Sequence, residues 1–147
     1  MRFFEDLEVG QKFLSGTMPM TAERIKTFAT EFDPQPFHLD EAAAKDTFFG
    51  GLVASGWHTA AVTMRLIVEA GIDLAGGTLG GGVQVLRWPR PVHPGDVLQV
   101  EVEVVELRPS RKHPGLGVVK VRATTFNQAA EPVQISTPVL LVPRRRS

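Results

Sequence analysis

The amino-acid sequence predicts an α+β fold in which a long helix is wrapped by a curved antiparallel sheet. Three observations predict it. One strand-like segment comes first, the helical patterns follow together, and an unbroken run of strand patterns closes the chain. The longest helical pattern is apolar nearly all round, so it asks to be enclosed. The late strands alternate with period two, which gives their sheet one face for a core.

The elements follow in order. Residues 11–20 read as the first strand, closed by Pro19. Thr21 offers a capping hydroxyl and Glu23 a negative charge in the first helical turn, where the macrodipole is positive. Ile25, Phe28, Ala29 and Phe32 then fall at i, i+3, i+4 and i+7, one stripe, and Pro34 ends that helix. Asp40 is placed to cap a short helix over 41–44, which Phe48-Phe49-Gly50-Gly51 breaks. The long helix spans Ser55 to Ala70 and stops at Gly71, with Arg65 and Glu69 as its formal charges. A glycine-rich passage, Gly76-Gly77 and Gly80-Gly81-Gly82, leads into strands over 83–89, 97–107, 116–127 and 133–142. Pro94-Gly95-Asp96 reads as a turn. Pro138 brings no N–H to its ladder and predicts an edge strand or a bulge. With no internal repeat, residues 1–147 are expected to form one domain, and 143–147 a solvated basic tail.

Composition removes several function classes. At 147 residues the chain can bury a substantial core. It carries 16 basic and 16 acidic side chains, so no net field draws it to nucleic acid or to an acidic membrane surface. The absence of cysteine removes disulfides, thiolate metal ligands and a cysteine nucleophile. Residues 1–6 hold acids where a secretory signal needs an apolar core, which predicts a cytoplasmic protein. The longest uncharged run, 47–64, is weakly apolar and reads as a buried helix rather than a membrane span. No phosphate-cradling glycine loop and no GxSxG elbow is found, so neither a nucleotide cofactor nor a serine hydrolase is expected.

The chemistry concentrates in Asp33-Pro34-Gln35-Pro36-Phe37-His38-Leu39-Asp40. Each proline fixes its own φ and pushes the residue before it toward extended backbone. The segment is a stiff, bent mount holding a carboxylate and an imidazole at a set separation, as general acid–base chemistry requires. The plain alternative is a surface loop in which Asp33 caps a turn. Further on, the start of the long helix at Ser55-Gly56 presents N–H groups without intrahelical partners. Gly56 lets a carbonyl oxygen approach the backbone there, which makes it a candidate oxyanion donor. Ser55 is placed to cap this helix, to contact substrate, or both. His58 sits one turn in, where a lone histidine is more often a packing residue than a catalyst. His93 and His113 lie in proline-flanked loops, and Trp57 and Trp88 read as core or interface aromatics. Arg108, Arg111, Lys112 and His113 form a basic loop of the kind that is usually solvated. Asp33, His38 and His58 lack any paired metal-ligand spacing.

Asp33 with Pro36-Phe37-His38-Leu39-Asp40, followed by Phe49-Gly50-Gly51-Leu52-Val53-Ala54-Ser55-Gly56, resembles the hydratase motif of the MaoC-like dehydratases, the (R)-specific enoyl-CoA hydratase group. Residues 87–96 are similar to that family's strand–turn segment. The resemblance implies a hot-dog fold and reversible addition of water across the 2,3 double bond of an acyl thioester. Asp33 and His38 would be the catalytic dyad and the Gly56 N–H the carbonyl-polarising donor. Gln35, which stands where many members have asparagine, is a candidate substrate contact together with Phe37, Ser55 and His58. The resemblance further implies an acyl-CoA or acyl carrier protein thioester as substrate, no cofactor or metal, and a homodimer joined sheet edge to sheet edge. A thioesterase on the same fold and a non-catalytic acyl-binding protein are the competing expectations.

Overall fold

The computed structural model describes residues 1–146 and folds the strand patterns into one five-stranded antiparallel sheet. β1 (Lys12–Pro19), β2 (Leu79–Arg87), β3 (Val97–Pro109), β4 (Leu116–Phe126) and β5 (Pro132–Pro143) lie in the order β1-β3-β4-β5-β2. Between β1 and β2 come α1 (Ala22–Phe32), α2 (Pro36–Leu39), α3 (Glu41–Lys45) and α4 (Gly56–Glu69). A turn of 3-10 helix, Phe4–Asp6, precedes β1.

The alternation in β3 does what the sequence promises. Leu98, Val100, Val102 and Val104 are fully buried and share one core with Val62, Leu66 and Ile67 of α4. Truncating a residue such as Leu98 to alanine would cost about 2–5 kcal/mol through lost transfer energy and the cavity left behind. The β1–β3 ladder slips by one residue between Leu14 and Thr17. Ser15 repairs the slip: its Oγ accepts from the Val100 N–H at 2.8 Å and its carbonyl from Gln99 Nε2 at 2.9 Å. Such a bulge increases local twist and helps the sheet bend around α4.

Four expectations change. β2 begins at Leu79, so Gly80-Gly81-Gly82 is part of the strand rather than a linker; its bulges fall between Gly80 and Gly82 and between Val83 and Leu86. Pro138 lies in β5, which is interior to the sheet, and faces this irregular part of β2, so the bulge reading holds and the edge reading does not. α4 is not enclosed on all sides: Trp57, Ala61, Met64 and Val68 form an exposed apolar stripe, because a single sheet covers the helix on one side. The basic tail is not free. Arg144 pairs with Glu5 at 3.1 Å and Arg145 with Asp6 at 2.8 Å, tying the end of β5 to the first turn; Ser147 lies outside the described residues. In α1, Ile25 and Ala29 are buried as the stripe predicts, whereas Phe32 is 64% exposed. Among the described residues no helix is long and apolar enough to cross a membrane.

Candidate active site

The two prolines build the site by turning the chain twice. Asp33 ends α1 with φ −152° and ψ 67°, the non-helical geometry that a following proline favours. Gln35 then precedes α2 in extended geometry, and Pro36 sits at its first turn, where a missing N–H costs nothing. α2 is a single turn that the sequence reading did not resolve from the bend. It carries His38 back toward Asp33. Asp40 closes the segment by accepting the Ala42 and Ala43 N–H groups at 2.7 and 3.1 Å, as the capping pattern predicts.

The result is a contact: His38 Nε2 stands 3.3 Å from Asp33 Oδ2. His38 is 5% exposed, and its Nδ1 lies 2.7 Å from the Val53 carbonyl. A carbonyl can only accept, so Nδ1 carries the hydrogen and Nε2 is the atom left to gain or lose a proton. Phe37 meets the His38 ring edge-on and steadies it. The carboxylate is held as firmly. Ser55 Oγ donates to Asp33 Oδ2 at 2.7 Å and Gln35 Nε2 to Oδ1 at 2.5 Å. Burial on its own would raise the Asp33 pKa, but the Gln35 and Ser55 donors, with His38 beside them, together hold it below the ordinary 3.8. Asp33 is therefore ionised at neutral pH.

Ser55 also caps α4, accepting the Trp57 N–H at 3.2 Å. One buried hydroxyl thus fixes the Asp33 carboxylate and the helix start together. Gly56 follows, and among the described residues its N–H has no acceptor. The Trp88 indole packs on Gly56 so closely that an added Cβ would stand 2.6 Å from it, which explains the glycine. Trp88 is in turn held by donating Nε1–H to Gln134 Oε1 at 2.9 Å, a buried residue of β5. His38, Phe37, Val53, Gly56, Trp88 and Arg90 line a hollow of about 400 Å³. The imidazole and the positive end of α4 share this cavity.

The structure thus brings together Asp33, Gln35, Phe37, His38, Ser55 and Gly56. Gln35 spends its amide on Asp33, which makes it a support for the carboxylate. His58 is set apart, stacked flat on Phe28 with ring centres 4.7 Å apart, in the wall of a second hollow. His93 belongs to the Pro94-Gly95-Asp96 turn, its Nδ1 3.9 Å from Asp96 Oδ2, and His113 is exposed. Among the described residues no cluster of three metal-capable side chains is found. Sequence reasoning missed the Val53 carbonyl, which no side-chain pattern can announce. It also missed the Trp88–Gln134 bond, whose partners stand 46 residues apart.

One antiparallel sheet curved about a single long helix defines the hot-dog class. The chain belongs to the MaoC-like dehydratase family, its residues 5–127 matching the model described as "MaoC like domain". A MaoC-like dehydratase from Rhodospirillum rubrum is 51% identical, with full coverage of both chains and a TM-score of 0.94. The R-hydratase PhaJ1 from Pseudomonas aeruginosa is 33% identical over 97% of this chain and 86% of that one, with a TM-score of 0.79. Among curated sequences, a 3-hydroxybutyryl-CoA dehydratase from Methylorubrum extorquens is 34% identical over 75% of this chain and 68% of its own length.

Proposed function

We propose that this protein is a hydro-lyase that reversibly adds water across the 2,3 double bond of an enoyl thioester, with Asp33 and His38 as its acid–base pair. The observation that supports the reading is the contact of Asp33 Oδ2 with His38 Nε2 beside a hollow that His38 and Gly56 line together. The named activities of the R-hydratase and the 3-hydroxybutyryl-CoA dehydratase support it.

In the hydration direction a water sits against Asp33 Oδ2 and His38 Nε2. Its oxygen bonds to the β-carbon while one of the pair takes its proton. The π electrons move to the thioester oxygen, where the Gly56 N–H and the α4 dipole stabilise the enolate. The other member of the pair delivers a proton to the α-carbon, so H and OH are added and nothing is oxidised. A positioned acid and base supply about 10²–10⁴ in rate and one oxyanion donor about 10²–10³. Ser55 and Gln35 contribute by keeping the carboxylate ionised and aimed.

The same reading includes a homodimer. β2 is an edge strand whose residues are largely exposed, and the Trp57–Ala61–Met64–Val68 stripe is open on the same molecule. A second copy paired along β2 would cover both. The substrate is a CoA or acyl carrier protein thioester and the setting is the cytoplasm. The test is a panel of enoyl-CoAs of graded length, followed by loss of enoyl-thioester absorbance and by a free-thiol assay. Absorbance loss without thiol release is the expected outcome. Thiol release would instead show a thioesterase.

A further inference from the structure

A second hollow, of about 550 Å³, lies between α1 and the start of α4. Arg24, Thr27, Phe28 and Phe32 wall it from α1 and His58 from α4. Two of its lining residues neighbour Asp33 or its partner along the chain. Phe32 precedes Asp33 in the chain, and His58 lies one helical turn beyond Ser55, which binds Asp33.

His58 is the unusual group here. It is 8% exposed, and its Nδ1 is sealed from solvent without a hydrogen-bond partner. Burial first, and the nearby Arg24 charge second, hold its pKa below the ordinary 6.5, so the ring is neutral. A neutral imidazole has one N–H and one lone pair, and a buried N–H is the costlier of the two to leave unpaired. The lone pair therefore sits on sealed Nδ1 and the hydrogen on Nε2, on a ring that forms part of the hollow's lining. Arg24 brings one positive charge to the rim, and Glu23 and Glu31 two negative ones, so an uncharged acceptor fits better than an anion.

We infer that this hollow receives a neutral carbonyl oxygen of the thioester substrate, with His58 Nε2–H as the donor that reads it. The inference rests on the acyl-thioester reading above and narrows its substrate class. Two parts of such a substrate offer that chemistry: an amide of the pantetheine arm, or an oxo group on the acyl chain. The aromatic walls of Phe28 and Phe32 suit the methylenes on either side.

The test compares wild type, His58→Leu and His58→Gln on a simple S-ethyl enoyl thioester, an N-acetylcysteamine enoyl thioester and an oxo-substituted enoyl-CoA. Loss of one buried hydrogen bond raises KM roughly three- to tenfold. If the partner is the pantetheine amide, His58→Leu raises KM for the N-acetylcysteamine thioester and leaves the S-ethyl thioester unchanged. If it is the acyl oxo group, the rise is confined to the oxo-substituted substrate. His58→Gln keeps an N–H donor and restores most of the loss. Equal KM values for wild type and His58→Leu on every substrate, or an equal rise on all three, would overturn the inference. Should His58→Leu fail to fold, Thr27→Trp, which fills the hollow from its exposed rim, carries the same expectations. Calorimetric binding of the saturated N-acetylcysteamine, S-ethyl and oxo-substituted thioesters separates this inference from the catalytic one. A His58-dependent preference for the N-acetylcysteamine or the oxo-substituted thioester over the S-ethyl one, without any turnover, upholds the hollow and sinks the hydratase, and no such preference sinks the hollow alone.

Discussion

His38 and His58 are both buried and both lie against a phenylalanine; His38 touches Asp33, and His58 lies one helical turn beyond Ser55, which donates to Asp33. Their nitrogens differ. His38 has a backbone carbonyl on one and a carboxylate on the other, so its tautomer is fixed and its proton has somewhere to go. His58 has no partner on either nitrogen among the described residues, and burial keeps it neutral. Equal burial gives one histidine suited to moving a proton and another suited to recognising a neutral group. The difference is set by the neighbours: Val53 and Asp33 in one case, Phe28 and Arg24 in the other.

The comparison is broken most severely by Asp33→Asn. It removes the charge that faces His38 yet keeps the shape, so kcat for enoyl-CoA hydration should fall by about 10²–10⁴ with little change in Tm. Steady-state rates alongside a thermal melt check this. Gly56→Ala comes next. Its Cβ would run into the Trp88 indole, and overpacking of this kind costs about 1–3 kcal/mol. Chemical denaturation should show that loss, and Trp88→Leu in the same chain should recover part of it while leaving activity low.

Ser55→Ala probes the link between the two halves of the site. It deletes a helix cap worth about 1 kcal/mol and a donor to the Asp33 carboxylate. With that donor gone the Asp33 pKa moves back up, so the acid limb of the pH–rate profile should shift to higher pH than in wild type. An unshifted limb would show that Ser55 does not tune Asp33.

The smallest effect sharpens the comparison from the His58 side. Its folded pKa lies below the ordinary 6.5, so the unfolded chain binds more protons as pH falls through that range. Stability is full above about 6.5 and is lost as pH drops toward the folded value. His58→Leu removes this loss, and the gap between variant and wild type in denaturant midpoint should grow in the variant's favour from pH 7 to pH 5. Asp33 obeys the same sign at lower pH: its contribution is present above 3.8 and disappears as pH falls through its depressed value.

Much of this was legible in the chain because the signals were local. The alternation in 97–107, the Thr21 and Asp40 caps, and the Asp33–His38 mount each depend on residues a few positions apart. What escaped was decided at a distance. Gly80-Gly81-Gly82 has no strand propensity of its own and is extended because β5 pairs with it. The open stripe on α4 reads as core when the helix is taken alone, and only the one-sided sheet shows that it is exposed. Gln35 was read as a substrate contact; the bond its amide makes to Asp33 depends on the bend between the two prolines and was not part of that reading. The Val53 carbonyl that orients His38 is a main-chain group 15 residues away and leaves no trace in side-chain patterns.

The central claim is that the proton-handling histidine is His38 and not its equally buried neighbour. The direct measurement is kcat for hydration of crotonyl-CoA by wild type, His38→Gln and His58→Gln in parallel. The account predicts at least a hundredfold loss for His38→Gln, in keeping with the roughly 10²–10⁴ that acid–base groups supply, and less than about a threefold change for His58→Gln. A His38→Gln enzyme that turns over near the wild-type rate, or one slowed no more than His58→Gln, would contradict it.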